Sequence, residues 1–143
     1  TGNTCRSPLA EGLLRHALEG SPGFSVKSAG IAAGDGQPAN SQTLAVLEEV
    51  GIDLTNHQSQ NANNALLGSA ELIIAMTRDH RDMMIQAFPD AADKTKLLCD
   101  FITGQEGRDV PDPIGMGRDA YLQTRDVIVD AIPGILSQLG AAQ

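Results

Sequence analysis

The sequence has few cysteines, few aromatic side chains and no long apolar run. Its two cysteines, Cys5 and Cys99, are too few for a disulfide scaffold and favour a reducing cytoplasm. No apolar run approaches the roughly 18 residues of a membrane span, and no secretory segment opens the chain, so we expect a cytoplasmic protein without a membrane partner. A net charge of -8 and 3% aromatic residues argue against nucleic acid, which is bound by clustered Lys and Arg and by stacking rings.

What remains is the composition of an ordinary globular protein. Apolar residues make up 41% of the sequence and charged residues 20%, which excludes wholesale disorder. The chain has no internal repeat, low-complexity tract or linker, and 143 residues suffice for one core. We therefore expect a single domain over residues 1–143, and we expect it to be a monomer.

Short apolar segments alternate with segments of helical periodicity. This alternation predicts an α/β fold, a doubly wound parallel sheet of about four strands with helices on both faces. Strands are expected at 24–28, 71–76 and 96–99, and a long loop at 104–117. Helices are expected at 8–20, 41–50, 61–67, 78–88 and 118–139, with Pro133 a candidate kink in the last.

The sequence opens on a loop that leads into a helix, with no strand ahead of it. In doubly wound sheets a strand normally leads into such a loop, and the first strand is usually central. Without that strand its neighbours would have unpaired backbone groups. We therefore expect the sequence to be a cropped form of a longer chain.

The opening residues are suited to binding an anion. Glycine-containing turns at a helix N-terminus can direct several backbone amides at a phosphate, helped by the helix dipole. Arg6 adds a planar guanidinium that matches two phosphate oxygens, and Thr4 and Ser7 add hydroxyls. The alternative is a capped helix start with a solvated arginine.

The string Thr1-Gly2-Asn3-Thr4-Cys5-Arg6-Ser7-Pro8 resembles the phosphate-binding loop of the low-molecular-weight protein tyrosine phosphatases, beginning at its second position. The resemblance continues through Ala10-Glu11, Ser28-Ala29-Gly30, Ile74-Ala75-Met76-Thr77 and Asp112-Pro113. It implies a phosphate-binding loop at a strand-to-helix turn. It also implies a protein phosphatase that acts on phosphorylated proteins through a phosphocysteine, without cofactor or metal.

The resemblance also implies roles for the loop residues. The nucleophilic cysteine falls immediately before Thr1, so the chain as given should itself be inactive. Arg6 would bind the phosphoryl group as a catalytic residue, within a phosphate-binding set that can also hold free phosphate or sulfate: Thr1, Gly2, Asn3, Thr4, Cys5, Arg6 and Ser7. Cys5 would form a protective disulfide with the nucleophile, or else be a small filler beneath the loop.

More distant residues complete the implied site. Asp-Pro is ordinary turn chemistry, but the resemblance places the general acid at Asp112, with Asp109 the competing carboxylate. Asn3, Ser28 and His57 are implied to support the loop. His16 and His80 have no partners at metal-like spacing, so we interpret both as structural and expect no metal.

Two positions bear on the substrate. Family members that act on phosphotyrosine typically have an aliphatic residue at Thr4 and an aromatic one at Ile114, whereas the loop string resembles that of bacterial protein arginine phosphatases. Because that branch can also carry an aromatic residue after the Asp-Pro, Ile114 departs from both. We favour phosphoarginine over phosphotyrosine. An arsenate reductase would need further downstream cysteines, of which Cys99 alone is present, and often has glutamine at Pro8. The remaining alternative is a pseudophosphatase that binds an anion or partner.

Overall fold

The computed structural model describes residues 6–21, 23–30 and 36–140. Their helices and short strands follow in the order α1 (Arg6–Ala17), α2 (Ser41–Glu48), α3 (Asn64–Ser69), β1 (Ile73–Ala75), α4 (Arg78–Ala87), β2 (Thr95–Leu97) and α5 (Arg118–Leu139). Two 3₁₀ helices, Pro89–Lys94 and Leu98–Phe101, flank β2. Over the described ranges no helix is long and apolar enough to cross a membrane.

The described strands form a parallel pair. Ile73 lies opposite Thr95 and Ala75 opposite Leu97. The parallel sheet between helices agrees with the expected α/β class, but the described residues contribute two strands to it where about four were expected.

The strand expected at 24–28 is wrong. Side chains bond its carbonyls: Arg15 Nη2 donates to Val26 O at 2.7 Å and Gln60 Nε2 to Ser28 O at 2.9 Å. A single parallel bridge joins Gly30 to Asn61 just beyond this segment. Apolar content had suggested a strand, but a ladder also needs a neighbouring backbone.

Other boundaries shift because polar side chains bond the backbone. The strand expected at 96–99 ends at Leu97, where the Asp100 carboxylate accepts from Leu97 N at 3.2 Å and the chain turns into a 3₁₀ helix. The helix expected at 61–67 begins at Asn64, because the Asn63 side chain accepts from Leu66 N at the cap. By contrast α5 has the expected bounds and continues through Pro133 as one helix.

The core lies where α1, α2 and α5 pack together. Leu9, Leu47, Tyr121 and Ile128 are each at most 1% exposed there. A Cβ on Gly12 would lie 3.0 Å from a methyl group of Leu47, so glycine permits the close approach of α1 to α2. Helix α4 packs against both strands. The start of α1 is thus held firmly, and that start carries Arg6.

Candidate active site

Arg6, the first residue of α1, contacts the loop that precedes α5. Its Nη1 donates to the carbonyl oxygen of Val110 at 2.7 Å, although the two residues are 104 positions apart. Its Nη2 lies 3.7 Å from Oδ2 of Asp112, and the Arg6 side chain is 10% exposed. The structure therefore brings together the two residues that were expected to be catalytic.

Val110 fixes this loop to the sheet as well as to Arg6. Its backbone N–H donates to Met76 O at 2.8 Å, just past the carboxyl end of β1, and Val110 is fully buried. One residue thus connects the end of a strand, through its N–H, to the arginine, through its carbonyl. Asp112 follows two residues later and takes its position from this anchor.

Asp112 is oriented by its own turn but stays open to solvent. Its Oδ1 accepts from Ile114 N at 3.1 Å, and the intervening Pro113 is buried. Oδ2 faces Arg6, and the side chain is 49% exposed. A carboxyl group that is held by one oxygen and accessible at the other can exchange a proton with a bound substrate or water.

Asp109 is engaged elsewhere. Its Oδ1 accepts from the backbone N–H of Arg78 at 2.8 Å, in the first turn of α4, and lies 3.4 Å from Arg78 Nε. The hydrogen bond from the Arg78 backbone is the main reason why the pKa of Asp109 is lowered. Asp109 therefore joins the loop to α4. The assignment of the general acid to Asp112 rather than Asp109 stays a prediction.

Ser28 and His57 meet at a buried carboxylate, Glu11. Ser28 Oγ donates to Glu11 Oε1 at 2.5 Å, and His57 Nδ1 lies 3.7 Å from the same oxygen. Arg15 Nη2 donates to Glu11 Oε2 at 2.7 Å, and the Glu11 side chain is 9% exposed. The structure joins two of the three residues expected to support the loop. The third, Asn3, lies outside the described residues.

Sequence reasoning noted Glu11 without giving it a role. The available signal was its place on the buried face of α1, between Ala10 and Gly12, where an unpaired carboxylate would be costly. A charged residue inside an apolar helical face predicts a polar partner from elsewhere in the chain. The partners themselves, Ser28 and His57, come from segments that no local pattern connects to α1.

His80 lies closer to the site than a purely structural assignment implied. It is partly buried in the first turn of α4, and burial is the main cause of its lowered pKa, with the Arg6 guanidinium adding to the effect. His16 is exposed beside Glu19, at 3.7 Å. Within the described ranges no group of three or more His, Cys, Asp or Glu could hold a metal ion.

Cys99 is poorly placed for redox chemistry. It is 2% exposed, and burial, with smaller contributions from Asp100 and Asp109, raises the pKa of its thiol. Since the thiolate is the reactive form, this environment counts against Cys99 as a resolving cysteine. Of the expected phosphate-binding residues, Arg6 and Ser7 are described, while Thr1, Gly2, Asn3, Thr4 and Cys5 lie outside the described residues.

Comparison with known proteins assigns the chain to a family. The family model described as "Low molecular weight phosphotyrosine protein phosphatase" matches residues 1–143. The chain belongs to this phosphatase family. It is 38% identical over 143 residues to a protein-arginine-phosphatase of Geobacillus stearothermophilus, covering all of this chain and 94% of that protein.

Solved structures of this family share the fold. A mutant of the YwlE arginine phosphatase with a phosphorylated active-site serine superposes with a TM-score of 0.90 at 37% identity, covering 98% of this chain and 91% of that one. The tyrosine phosphatase Wzb of Escherichia coli K30, in complex with sulphate, gives 0.87 at 29% identity, covering 98% and 94%. These neighbours confirm the expected α/β fold class.

We expect Asp109→Asn to reduce stability near neutral pH and to matter less in acid. A lowered pKa in the folded state contributes stability above the ordinary value of 3.8, and that contribution is lost as the pH falls through the folded-state pKa. Urea unfolding from about pH 6 down to about pH 2 should show the two proteins converging. Asp126→Asn, at an exposed carboxylate, is the control. A constant difference across this range would contradict the assignment.

We expect Glu11→Ala to lower the free energy of unfolding by about 3 kcal/mol, because it removes a buried carboxylate that accepts from Ser28 Oγ and from Arg15 Nη2. Ser28→Ala should cost about 2 kcal/mol, the usual net worth of one hydrogen bond to a charged group. Glu48→Ala, at the exposed end of α2, serves as the control for losing a glutamate. Thermal and urea unfolding measure all three variants. Equal effects of Glu11→Ala and Glu48→Ala would show that the buried network contributes nothing.

Proposed function

We propose that this domain, spanning residues 1–143, is a cysteine-dependent protein phosphatase that hydrolyses phosphoarginine. The observation that carries the proposal is the junction of Arg6 with the 109–113 loop. Arg6 is fixed through Nη1 to Val110 O at 2.7 Å, and Asp112 Oδ2 lies 3.7 Å from Nη2. These contacts support the proposed roles of Arg6 as the phosphoryl-binding cation and of Asp112 as the proton-transferring carboxyl group.

Arg6 supplies charge and geometry. One amino group is held by Val110, which fixes the plane of the guanidinium and leaves other N–H groups for two phosphoryl oxygens. The arginine lies at the first residue of α1, where the helix dipole also favours an anion. The neighbouring amides of residues 1–7 would complete the phosphate-binding loop. This environment stabilises the charge on the transferring phosphoryl group.

The first chemical step uses a cysteine that we place immediately before Thr1. Its thiolate attacks phosphorus, forming an S–P bond as the P–N bond of phosphoarginine breaks. The leaving guanidine nitrogen takes a proton from the Asp112 carboxyl group. The products are a phosphocysteine, an Asp112 carboxylate and a free arginine side chain. Ser7, in the first turn of α1, would donate to the sulfur.

The second step reverses the role of Asp112. Its carboxylate takes a proton from water as the water oxygen attacks phosphorus, and the S–P bond breaks to release phosphate and the thiolate. The exposed face of Asp112 leaves access for this water. A relative with 37% identity carries a phosphorylated serine in its active site, which supports a phosphoryl intermediate on the nucleophile.

Phosphoarginine is favoured by the loop and by the relatives. Thr4 is a small polar residue in the phosphate-binding loop. The protein-arginine-phosphatase of Geobacillus stearothermophilus matches the whole chain at 38% identity. The inactivity of residues 1–143 by themselves is part of the proposal, because the proposed nucleophile is not among them.

Phosphotyrosine is the second candidate. The family model carries that substrate in its description, and Wzb, a tyrosine phosphatase, shares the fold at 29% identity. The loop and Asp112 would serve a phenolic leaving group equally well. The two substrates therefore differ at the residues around the leaving group and not in the phosphoryl-transfer chemistry.

In protein that carries the cysteine ahead of Thr1, Asp112→Asn should lower kcat/KM most for substrates with poor leaving groups. Without a proton donor, kcat/KM for phenyl phosphate should fall by about a hundredfold or more, whereas p-nitrophenyl phosphate should lose roughly tenfold or less. Asp109→Asn is the matched control and should affect both substrates alike. If Asp112→Asn reduced both rates equally, Asp112 would not be the general acid.

The substrate assignment is tested by Thr4→Ile. We expect phosphoarginine turnover to fall and phosphotyrosine turnover to rise, so that the ratio of the two kcat/KM values reverses; each tenfold change corresponds to about 1.4 kcal/mol. Thr4→Val replaces the hydroxyl with a methyl at nearly constant volume and separates polarity from size. Inhibition by inorganic phosphate should stay unchanged and reports on the loop. Wild-type preference for phosphotyrosine, or parallel loss of both activities, would overturn the phosphoarginine assignment.

A further inference from the structure

His80 belongs to a segment that is tied at two points to the loop preceding α5. The carbonyl oxygen of Met76 accepts from Val110 N at 2.8 Å. Two residues further on, the backbone N–H of Arg78 donates to Asp109 Oδ1, also at 2.8 Å. The start of α4, and His80 with it, therefore has a fixed position relative to the candidate active site.

The cap of α4 fixes His80 within this segment. Thr77 Oγ1 accepts from the backbone N–H of His80 at 3.1 Å, which places His80 third in the helix. His80 lines a groove of about 690 Å³ that Ser7 and Met76 also line. Ser7 follows Arg6 in the first turn of α1. His80 and the start of α1 therefore border the same cavity.

Charged groups on several elements act on the imidazole of His80. Its pKa is lowered, chiefly because the residue is partly buried, and the positive charges of the chain's amino group and of Arg6 lower it further. Asp79 on α4 and Asp112 on the facing loop act in the opposite direction. An anion bound at Arg6 would act in the same direction as these carboxylates and would favour the protonated imidazole.

We propose that His80 is a second, proton-dependent cation of the phosphate-binding site: a dianion bound at Arg6 draws a proton from solvent onto the imidazole, and the protonated imidazole strengthens the binding of that dianion. The inference rests on the proposed phosphate-binding role of Arg6. His80 forms no bond to phosphorus, so it is a positioning residue that acts through the charge of the site.

The sign of the pH dependence follows from linkage. A bound dianion stabilises the charged imidazole, so the pKa of His80 is higher in the complex than in the free protein. The affinity for the dianion therefore increases as the pH falls through the pKa of the complex, and it becomes constant below the pKa of the free protein.

The experiment measures sulfate binding by calorimetry at about pH 5 and about pH 8, in protein that carries serine in place of the proposed nucleophile. Sulfate stays dianionic over this range and serine does not titrate, so the pH dependence comes from other groups of the protein. His80→Gln is the test variant, and His16→Gln, at an exposed histidine beside Glu19, is the matched control. Imidazole resonances of His80 are followed with and without sulfate, and the amide resonance of Ser7 locates the bound ion.

We expect sulfate to bind about tenfold more tightly at the lower pH in the unsubstituted protein and in His16→Gln, and less than about threefold more tightly in His80→Gln. The imidazole of His80 should titrate at higher pH in the sulfate complex than in the free protein. Should His80→Gln fail to fold, this titration decides alone.

Two kinds of contrary result are distinguishable. Equal pH dependence with and without the His80 imidazole, or a His80 titration that sulfate does not shift, would overturn the inference and leave the role of Arg6 intact. Sulfate that binds at neither pH, or that leaves the Ser7 amide unperturbed, would overturn the phosphate-binding role of Arg6 and this inference with it.

Discussion

The two backbone groups of Val110 connect the parts of the candidate active site. Its N–H bonds the chain just past β1, and its carbonyl accepts from Arg6 at 2.7 Å. Because Val110 is fully buried, both groups need these partners, and losing either would leave a polar group without a hydrogen bond. The sheet, the start of α1 and the Asp112 turn are therefore positioned relative to one another by one peptide segment.

Three carboxylates near this segment have different surroundings, and their expected roles differ accordingly. Glu11 is buried and surrounded by donors from Ser28 and Arg15, so it supports the structure. Asp109 bonds a backbone N–H of α4, which lowers its pKa and keeps it ionised. Asp112 has one oxygen in a turn and the other beside Arg6, and half of its side chain meets solvent. Of the three, Asp112 alone combines access to solvent with a contact to Arg6, the residue that we propose to bind the phosphoryl group.

The helices could largely be predicted from the sequence, because their apolar periodicity and their caps are local. Asn40 and Thr77 cap α2 and α4 where the pattern placed helix starts. The prediction of a strand at 24–28 failed because strand pairing depends on a backbone that is distant in sequence. Arg6 and Asp112 were found through a family resemblance, whereas the bond from Arg6 to Val110 O has no signature in sequence. Glu11 was visible as a charge on a buried face, but its partners were not.

The double use of Arg6 has a consequence for ligand binding. The guanidinium that would hold a phosphate is also the anchor of the 109–113 loop, so the two equilibria are linked. An oxyanion that binds Arg6 in this position would stabilise the loop. By linkage, a change that destabilises this position of the loop would lower the affinity for the oxyanion by the same factor. Under the proposed role of Arg6, phosphate binding and the position of Asp112 are therefore thermodynamically coupled.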